Sequence, residues 1–166
     1  MTLTTHAVVG GFLGALTGNP YYSFTIGVMS HFGLDSIPHW DYSLFSKKEA
    51  DDPLNEDLVL GNSFIKDLFR IGADFLLGMF LVTLMAFLLP EISTKLFFLG
   101  AIGAVLPDFL QFVYFKMRRG PMRILQTFHI WIHAPKHTEL DFQPGFYYQL
   151  VIVLVTICLV CVLSLY

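Results

Sequence analysis

Three stretches of this chain are long and apolar enough to cross a lipid bilayer, which takes about 20 consecutive apolar residues. They cover residues 71–89, 92–115 and 146–166, and Pro90 ends the first of them. Because a backbone inside lipid must satisfy its own hydrogen bonds, each stretch is predicted to be a helix. Charged residues make up 14% of the sequence, whereas a soluble domain carries about 25%. The sequence therefore predicts an integral membrane protein embedded in the lipid bilayer.

Two shorter apolar stretches, residues 7–18 and 21–37, precede the long ones. As a helix the first would be only about 18 Å long. We predict a tight helical hairpin that either spans the bilayer or re-enters it. Small residues at every fourth position let another helix approach closely, and the first stretch has this spacing at Gly10, Gly14 and Gly18. The predicted fold is all-α, a polytopic membrane helical bundle of about five membrane helices.

Residues 1–166 are predicted to form a single membrane domain with five parts. These are the helical hairpin (1–39), an acidic loop (40–66), two spans (67–115), a basic segment with a short helix (116–143) and a C-terminal span (144–166). Nearly all Lys and Arg residues fall in the two connecting segments, and the other side offers Lys95 alone. The positive-inside rule then places both segments and the N-terminus in the cytoplasm of a prokaryotic cell, and the C-terminus outside its inner membrane. The net charge of −3 argues against nucleic acid as a partner.

His and Asp residues collect at the predicted cytoplasmic ends of these helices. His31 and Asp35 are four residues apart and share one face of a helix, and the same spacing separates His129 from His133. The predicted metal ligands are His31, Asp35, His39, Asp74, Asp108, His129 and His133. Further candidates are His6 and Gln111. A single His near the end of a span is more often an ordinary interfacial residue, which is the alternative interpretation of His6.

The cost of burying charge in lipid favours a metal at these residues. An unpaired Asp at the centre of a span costs about 2.5–3.5 kcal/mol, and Arg70 is the only cation in the sequence near Asp74. A divalent cation would neutralise several carboxylates at once. Mixed imidazole and carboxylate ligands suit Zn first, with Mn or Fe as alternatives. A carboxylate that does not bind the metal, Asp74 or Asp108, is the predicted general base.

Three cations of the basic segment are candidates to bind an anionic head group or phosphate of a substrate. They are Arg118, Arg119 and Arg123. The alternative is that these charges only set the orientation of the chain in the membrane.

Four short motifs are spread over most of the chain: Thr5-His6, Ser30-His31-x-x-x-Asp35, Leu106-Pro107-Asp108 and His129-x-x-x-His133. Together they resemble motifs of the bacterial and archaeal inner-membrane proteins known as membrane-bound metal-dependent hydrolases. Compared with that family, the order of the motifs is permuted, and the paired His residues are four positions apart instead of five. The resemblance implies a metal site and hydrolysis of a phosphoester or a lipid.

These observations predict a membrane-embedded metal-dependent hydrolase that acts on a lipid or phosphoester at the cytoplasmic face. Transport of an ion or small molecule is one alternative, because carboxylates inside broken membrane helices also mark transport sites. A non-catalytic scaffold, in which a structural metal holds a small bundle together, is the other.

Overall fold

The computed structural model describes residues 1–118, 120–135 and 138–165. Their regular structure is almost entirely helical, which confirms the predicted all-α membrane bundle. The helices are α1 (Leu3–Ala15), α2 (Pro20–Asp35), α3 (Asn62–Leu88), α4 (Thr94–Met117), α5 (Pro121–Ile132) and α6 (Phe142–Leu163). Helices α3, α4 and α6 are long and apolar enough to cross a membrane, with mean hydropathies of 2.1, 1.9 and 2.6. They correspond to the three predicted spans.

Helix α1 lies in the middle of the bundle, where it contacts α2, α3, α4 and α6. Ala7 and Val8 are completely buried, and small residues let the surrounding helices approach. The turn into α2 is fixed by Gly18, whose φ of 64° is the left-handed conformation that glycine adopts without strain. The side chain of Asn19 then caps α2 by accepting hydrogen bonds from the backbone N–H groups of Tyr21 and Tyr22. The predicted hairpin is therefore present, and its first helix is enclosed by protein.

Close contacts between glycines bring α1 and α2 against α4. A side chain at Gly10 would collide with Ala104 and Gly100 of α4, and a side chain at Gly27 would collide with the carbonyl group of Gly100. The predicted small-residue contact is thus present at Gly10. Gly18 does not share it, because nothing lies within 4 Å of a side chain placed there. Contact at this distance brings the polar residues of α2 within reach of the α4 backbone.

The acidic loop folds back onto the basic end of α4. Within it, strands β1 (Lys47–Lys48) and β2 (Asp57–Leu58) pair antiparallel. Lys116 forms an ion pair with Asp57 at 2.8 Å, and Arg118 donates a hydrogen bond to the carbonyl oxygen of Glu56 at 2.9 Å. Part of the positive charge that the sequence assigns to this side is therefore neutralised within the chain.

Candidate metal centre

The last turn of α2 carries the centre of a His and Asp cluster. His31 and Asp35 are completely or almost completely buried, at 0% and 1% exposure. Nε2 of His31 lies 3.0 Å from Oδ2 of Asp35, as their spacing of four residues predicts. His129 of α5 adds its Nε2 at 3.2 Å from the same oxygen, and Asp108 of α4 places Oδ1 3.8 Å from Nε2 of His31. Three helices therefore contribute to one group of four residues that could hold a metal ion.

The spacing of these four atoms suits a small metal ion. With metal–ligand bonds of about 2.0–2.2 Å, neighbouring atoms of a tetrahedral site lie about 3.3–3.6 Å apart. Nε2 of His31 and Nε2 of His129 are separated by 3.4 Å, and all four ligand atoms lie within 4.8 Å of one another. If both imidazoles were in the doubly protonated, cationic form, two positive charges would face each other at this distance. A divalent cation could instead bind both nitrogens and the Asp35 carboxylate, with Asp108 beside it.

The backbone of α4 orients the His31 ring. Its Nδ1 lies 2.7 Å from the carbonyl oxygen of Ala104. Because a carbonyl oxygen only accepts, Nδ1 must carry a proton, and Nε2 is the ring nitrogen that faces Asp35, where either a proton or a metal ion can join the two atoms. Histidines that bind a metal through one ring nitrogen typically donate a hydrogen bond of this kind from the other ring nitrogen. Pro107, which has no N–H group, interrupts the helical hydrogen bonds of α4 next to this point.

A second group of residues lies on the other side of Asp35. It consists of Asp35, His39 and His133, whose ligand atoms also lie within 4.8 Å of one another. Asp41 bridges the two rings, because its Oδ2 is 3.4 Å from Nε2 of His39 and 3.4 Å from Nε2 of His133. The Met1 amino group also lies here, 2.9 Å from Nε2 of His39 and 3.4 Å from Oδ1 of Asp35.

Electrostatics at this second group favour charged forms. Burial lowers the pKa of the Met1 ammonium, but Asp41, Asp35 and Asp108 raise it by more, to about 10. Burial likewise lowers the pKa of His133, but its hydrogen bonds to Asp41 and to the Ala134 backbone, together with the charges of Asp35 and Asp41, raise the pKa by more. Burial raises the pKa of Asp41, but the ammonium group and the two neighbouring imidazoles bring it below its ordinary value. The region therefore attracts positive charge.

His6 lies at the centre of the cluster and not at an interface. Its ring is completely buried and stacks on His31 with a centroid distance of 4.1 Å. Nε2 of His6 is 3.2 Å from Oδ1 of Asp35, yet the geometry forms no hydrogen bond, and neither ring nitrogen has a partner among the described residues. A fully buried imidazole in this state is costly unless something else satisfies it.

Several other predicted site residues lie outside both groups. Asp74 instead accepts hydrogen bonds from the backbone N–H groups of Leu3 (2.6 Å) and Thr4 (3.2 Å), and so caps α1. Gln111 is half-buried and belongs to neither group. Arg118 is engaged with the acidic loop, and Arg123 is exposed on α5. Arg119 lies outside the described residues.

The predicted pair of histidines is divided between the two groups. Helix α5 ends at Ile132, and His133 continues in an extended conformation with ψ of 139°. His129 therefore faces the first group, whereas His133 turns towards Asp41. Their spacing of four residues predicts one shared face only while the helix continues through both.

Two residues near the site were not among the predicted site residues. Asp41 joins the second group, and its position two residues after His39 is the sequence signal that points to it. Gln149 of α6 is 3% exposed and links the residues before α1 to the segment after α2, because it accepts from the Thr2 N–H group at 2.8 Å and donates to the Trp40 carbonyl oxygen at 2.7 Å. A lone Gln at the start of an apolar span is the corresponding signal. The C-terminal helix thus supports the site region.

No family model, no curated protein and no solved structure matches this chain.

Proposed function

We propose that this protein is a membrane-embedded metal-dependent hydrolase that acts on a lipid or another amphipathic phosphoester at the cytoplasmic face. The observation that carries the proposal is the convergence of His31, Asp35 and His129 on one point, with Asp108 beside them. Three protein ligands with an open position are typical of catalytic zinc sites, whereas structural sites are closed. The resemblance of the His and Asp motifs to those of membrane-bound hydrolases supports the same class.

In this proposal the roles of the residues follow from their burial. His31, Asp35 and His129 bind the metal, because all three are buried and their ligand atoms lie 3.0–3.4 Å apart. When bound, a divalent metal lowers the pKa of a water molecule and polarises the scissile ester. Asp108 is 30% exposed and lies furthest from His31, so it is free to take a proton from the attacking water as general base.

The surroundings of Asp108 suit an amphipathic substrate. Phe109 next to it is 59% exposed, and on α5 Phe128 and Trp131 are 40% and 75% exposed. Phe128 and Trp131 lie along the same helix as His129, and Phe109 lies on α4 next to Asp108, so acyl chains could lie against these rings while the head group reaches the carboxylate. Aromatic residues in such positions are typical of the boundary between lipid and water.

Elemental analysis of purified protein and a hydrolysis assay test the proposal together. We expect bound metal in the wild type and a lower metal content in H31A and H129A. D108N should keep the metal but hydrolyse a fluorescent phosphatidate in mixed micelles about 100 to 10,000 times more slowly, because it lacks the general base. D57N, altered in the acidic loop, is the matched control and should resemble the wild type in both measurements.

Each contrary outcome would point to a different interpretation of the site. Absence of metal from wild type prepared without chelator would contradict the proposal. A metal content in H31A and H129A equal to that of the wild type would show that other residues bind the metal. Metal without any hydrolysis, with D108N lowering only thermal stability, would favour the scaffold with a structural metal, which the burial of the three ligands also allows.

A further inference from the structure

We propose that the second group of residues binds a second divalent cation, and that Asp35 bridges the two metals through its two carboxylate oxygens. The proposal rests on the metal site of the proposed function and extends it to a dinuclear centre. The second cation would be held by His39, His133 and Asp41, with His6 as a further ligand.

The two oxygens of Asp35 face different sets of side chains. Oδ2 lies 3.0 Å from Nε2 of His31 and 3.2 Å from Nε2 of His129. Oδ1 lies 3.2 Å from Nε2 of His6 and 3.8 Å from Nε2 of His39. A carboxylate that is 1% exposed and surrounded by four imidazoles has one oxygen for each of two cations.

The rings of the second group are oriented as metal ligands. Nδ1 of His39 lies 2.7 Å from the carbonyl oxygen of Ile37, and Nδ1 of His133 lies 3.0 Å from that of Ala134. As with His31, these contacts place a proton on Nδ1, so Nε2 is the ring nitrogen that faces the group, and a metal ion bound there would replace any proton that Nε2 carries. Asp41 supplies a second carboxylate between the two rings.

A cationic group already lies in the second position. The Met1 amino group contacts Nε2 of His39 and an oxygen each of Asp35 and Asp41. A divalent cation has twice the charge and would bind these same atoms, displacing the amino group. His6 supplies an independent observation, because it is fully buried and its ring nitrogens have no hydrogen-bond partner among the described residues. A metal next to Oδ1 of Asp35 would satisfy its Nε2.

Two neighbouring metals would narrow the class of substrate. In two-metal sites the ions lie about 3.5–4 Å apart and stabilise both the attacking and the leaving oxygen of a displacement at phosphorus. A dinuclear centre next to exposed aromatic side chains therefore fits a phosphoester of a lipid better than a carboxylic ester. The attacking water adds to phosphorus, the ester P–O bond breaks, and the proton from the water passes through Asp108 to the departing alkoxide.

Manganese titration followed by electron paramagnetic resonance tests the second site without an activity assay. Wild type should bind two Mn²⁺ per chain and show the spectrum of an exchange-coupled pair. H133A and H39A should each bind one Mn²⁺ and show the six-line spectrum of an isolated ion. D57N is the control in the acidic loop and should keep the coupled pair.

The outcomes separate this proposal from the previous one. One Mn²⁺ in wild type, lost in H129A but unchanged in H133A and H39A, would overturn the second site and leave the first intact. No bound Mn²⁺ and no bound Zn²⁺ in wild type would overturn both. H39Q and H133Q, which retain a polar side chain of similar length, should fold if the alanine variants do not, and two bound ions in both would also overturn the second site.

Discussion

The charge of Asp35 is enclosed by four imidazoles that come from α1, the end of α2, the segment after it, and α5. The sequence predicts the local part of this arrangement, since His31 and Asp35 are one helical turn apart. His6 is only a further candidate from the sequence, because no periodic pattern links it to α2. The contact of His6 with His31 and Asp35 depends on how closely α1 and α2 pack, which is a property of the tertiary structure.

Asp74 shows how a side chain of the predicted type can have a different role. Its carboxylate accepts from two backbone N–H groups at the start of α1, and a negative charge at a helix N-terminus is stabilising. From the sequence alone, this use of an acid cannot be told from metal binding, because the partner amide groups lie about 70 residues away along the chain.

We predict that D74A lowers the stability of the protein and leaves its metal content unchanged. Loss of a charged acceptor for two buried N–H groups should cost about 1–3 kcal/mol. The thermal midpoint in detergent should therefore fall, while elemental analysis should give the wild-type value. D74N keeps one acceptor oxygen, so its thermal midpoint should lie between those of D74A and the wild type. Loss of metal in a well-folded D74A would instead return Asp74 to the list of ligands.

At the scale of the elements, the position of α2 against α4 decides whether the site can form. The contact of Gly27 with the carbonyl group of Gly100 sets this distance, and His31 reaches the Ala104 carbonyl oxygen one turn further along. Small residues in the sequence predict close helix packing in general. They do not identify which helices meet, because the same spacing suits any partner.

Two glycines of α2 provide a matched pair of variants. G27A should force α2 away from α4 and cost about 1–3 kcal/mol, as overpacking does elsewhere. G33A should be neutral or stabilising by up to about 1 kcal/mol, because nothing lies within 4 Å of its added side chain. Thermal midpoints in detergent measure both, and metal content should fall in G27A alone. Equal thermal midpoints and equal metal contents in G27A and G33A would show that the contact of Gly27 with Gly100 is not tight.

For the whole molecule, the predicted orientation follows from the positive charges of the two connecting segments. Length and hydropathy establish which helices can span, and the helices of the bundle match the predicted spans to within a few residues at most ends. The start of α3 is the exception, at Asn62 instead of residue 71, because its first turns carry polar residues that the apolar stretch excludes. Helical structure thus continues beyond the part that hydropathy detects.

Labelling of single cysteines tests the orientation. Glu49 in the acidic loop and Glu91 after α3 lie at opposite ends of a helix of 27 residues, which is about 40 Å long. In a background without Cys158 and Cys161, E91C should react with an impermeant maleimide in intact spheroplasts. E49C should react only after permeabilisation. The reverse pattern would place the proposed site on the outer face.

The distance along the chain between Asp35 and His129 has a consequence for biosynthesis. These residues are 94 positions apart, so at about 5–20 residues per second the ribosome adds His129 about 5–20 s after Asp35. During this interval the carboxylate has only the histidines that precede or closely follow it. The newly made chain must therefore carry this carboxylate before the last of its imidazole partners has been translated, and insertion of α4 and folding of α5 become the steps that complete the cluster.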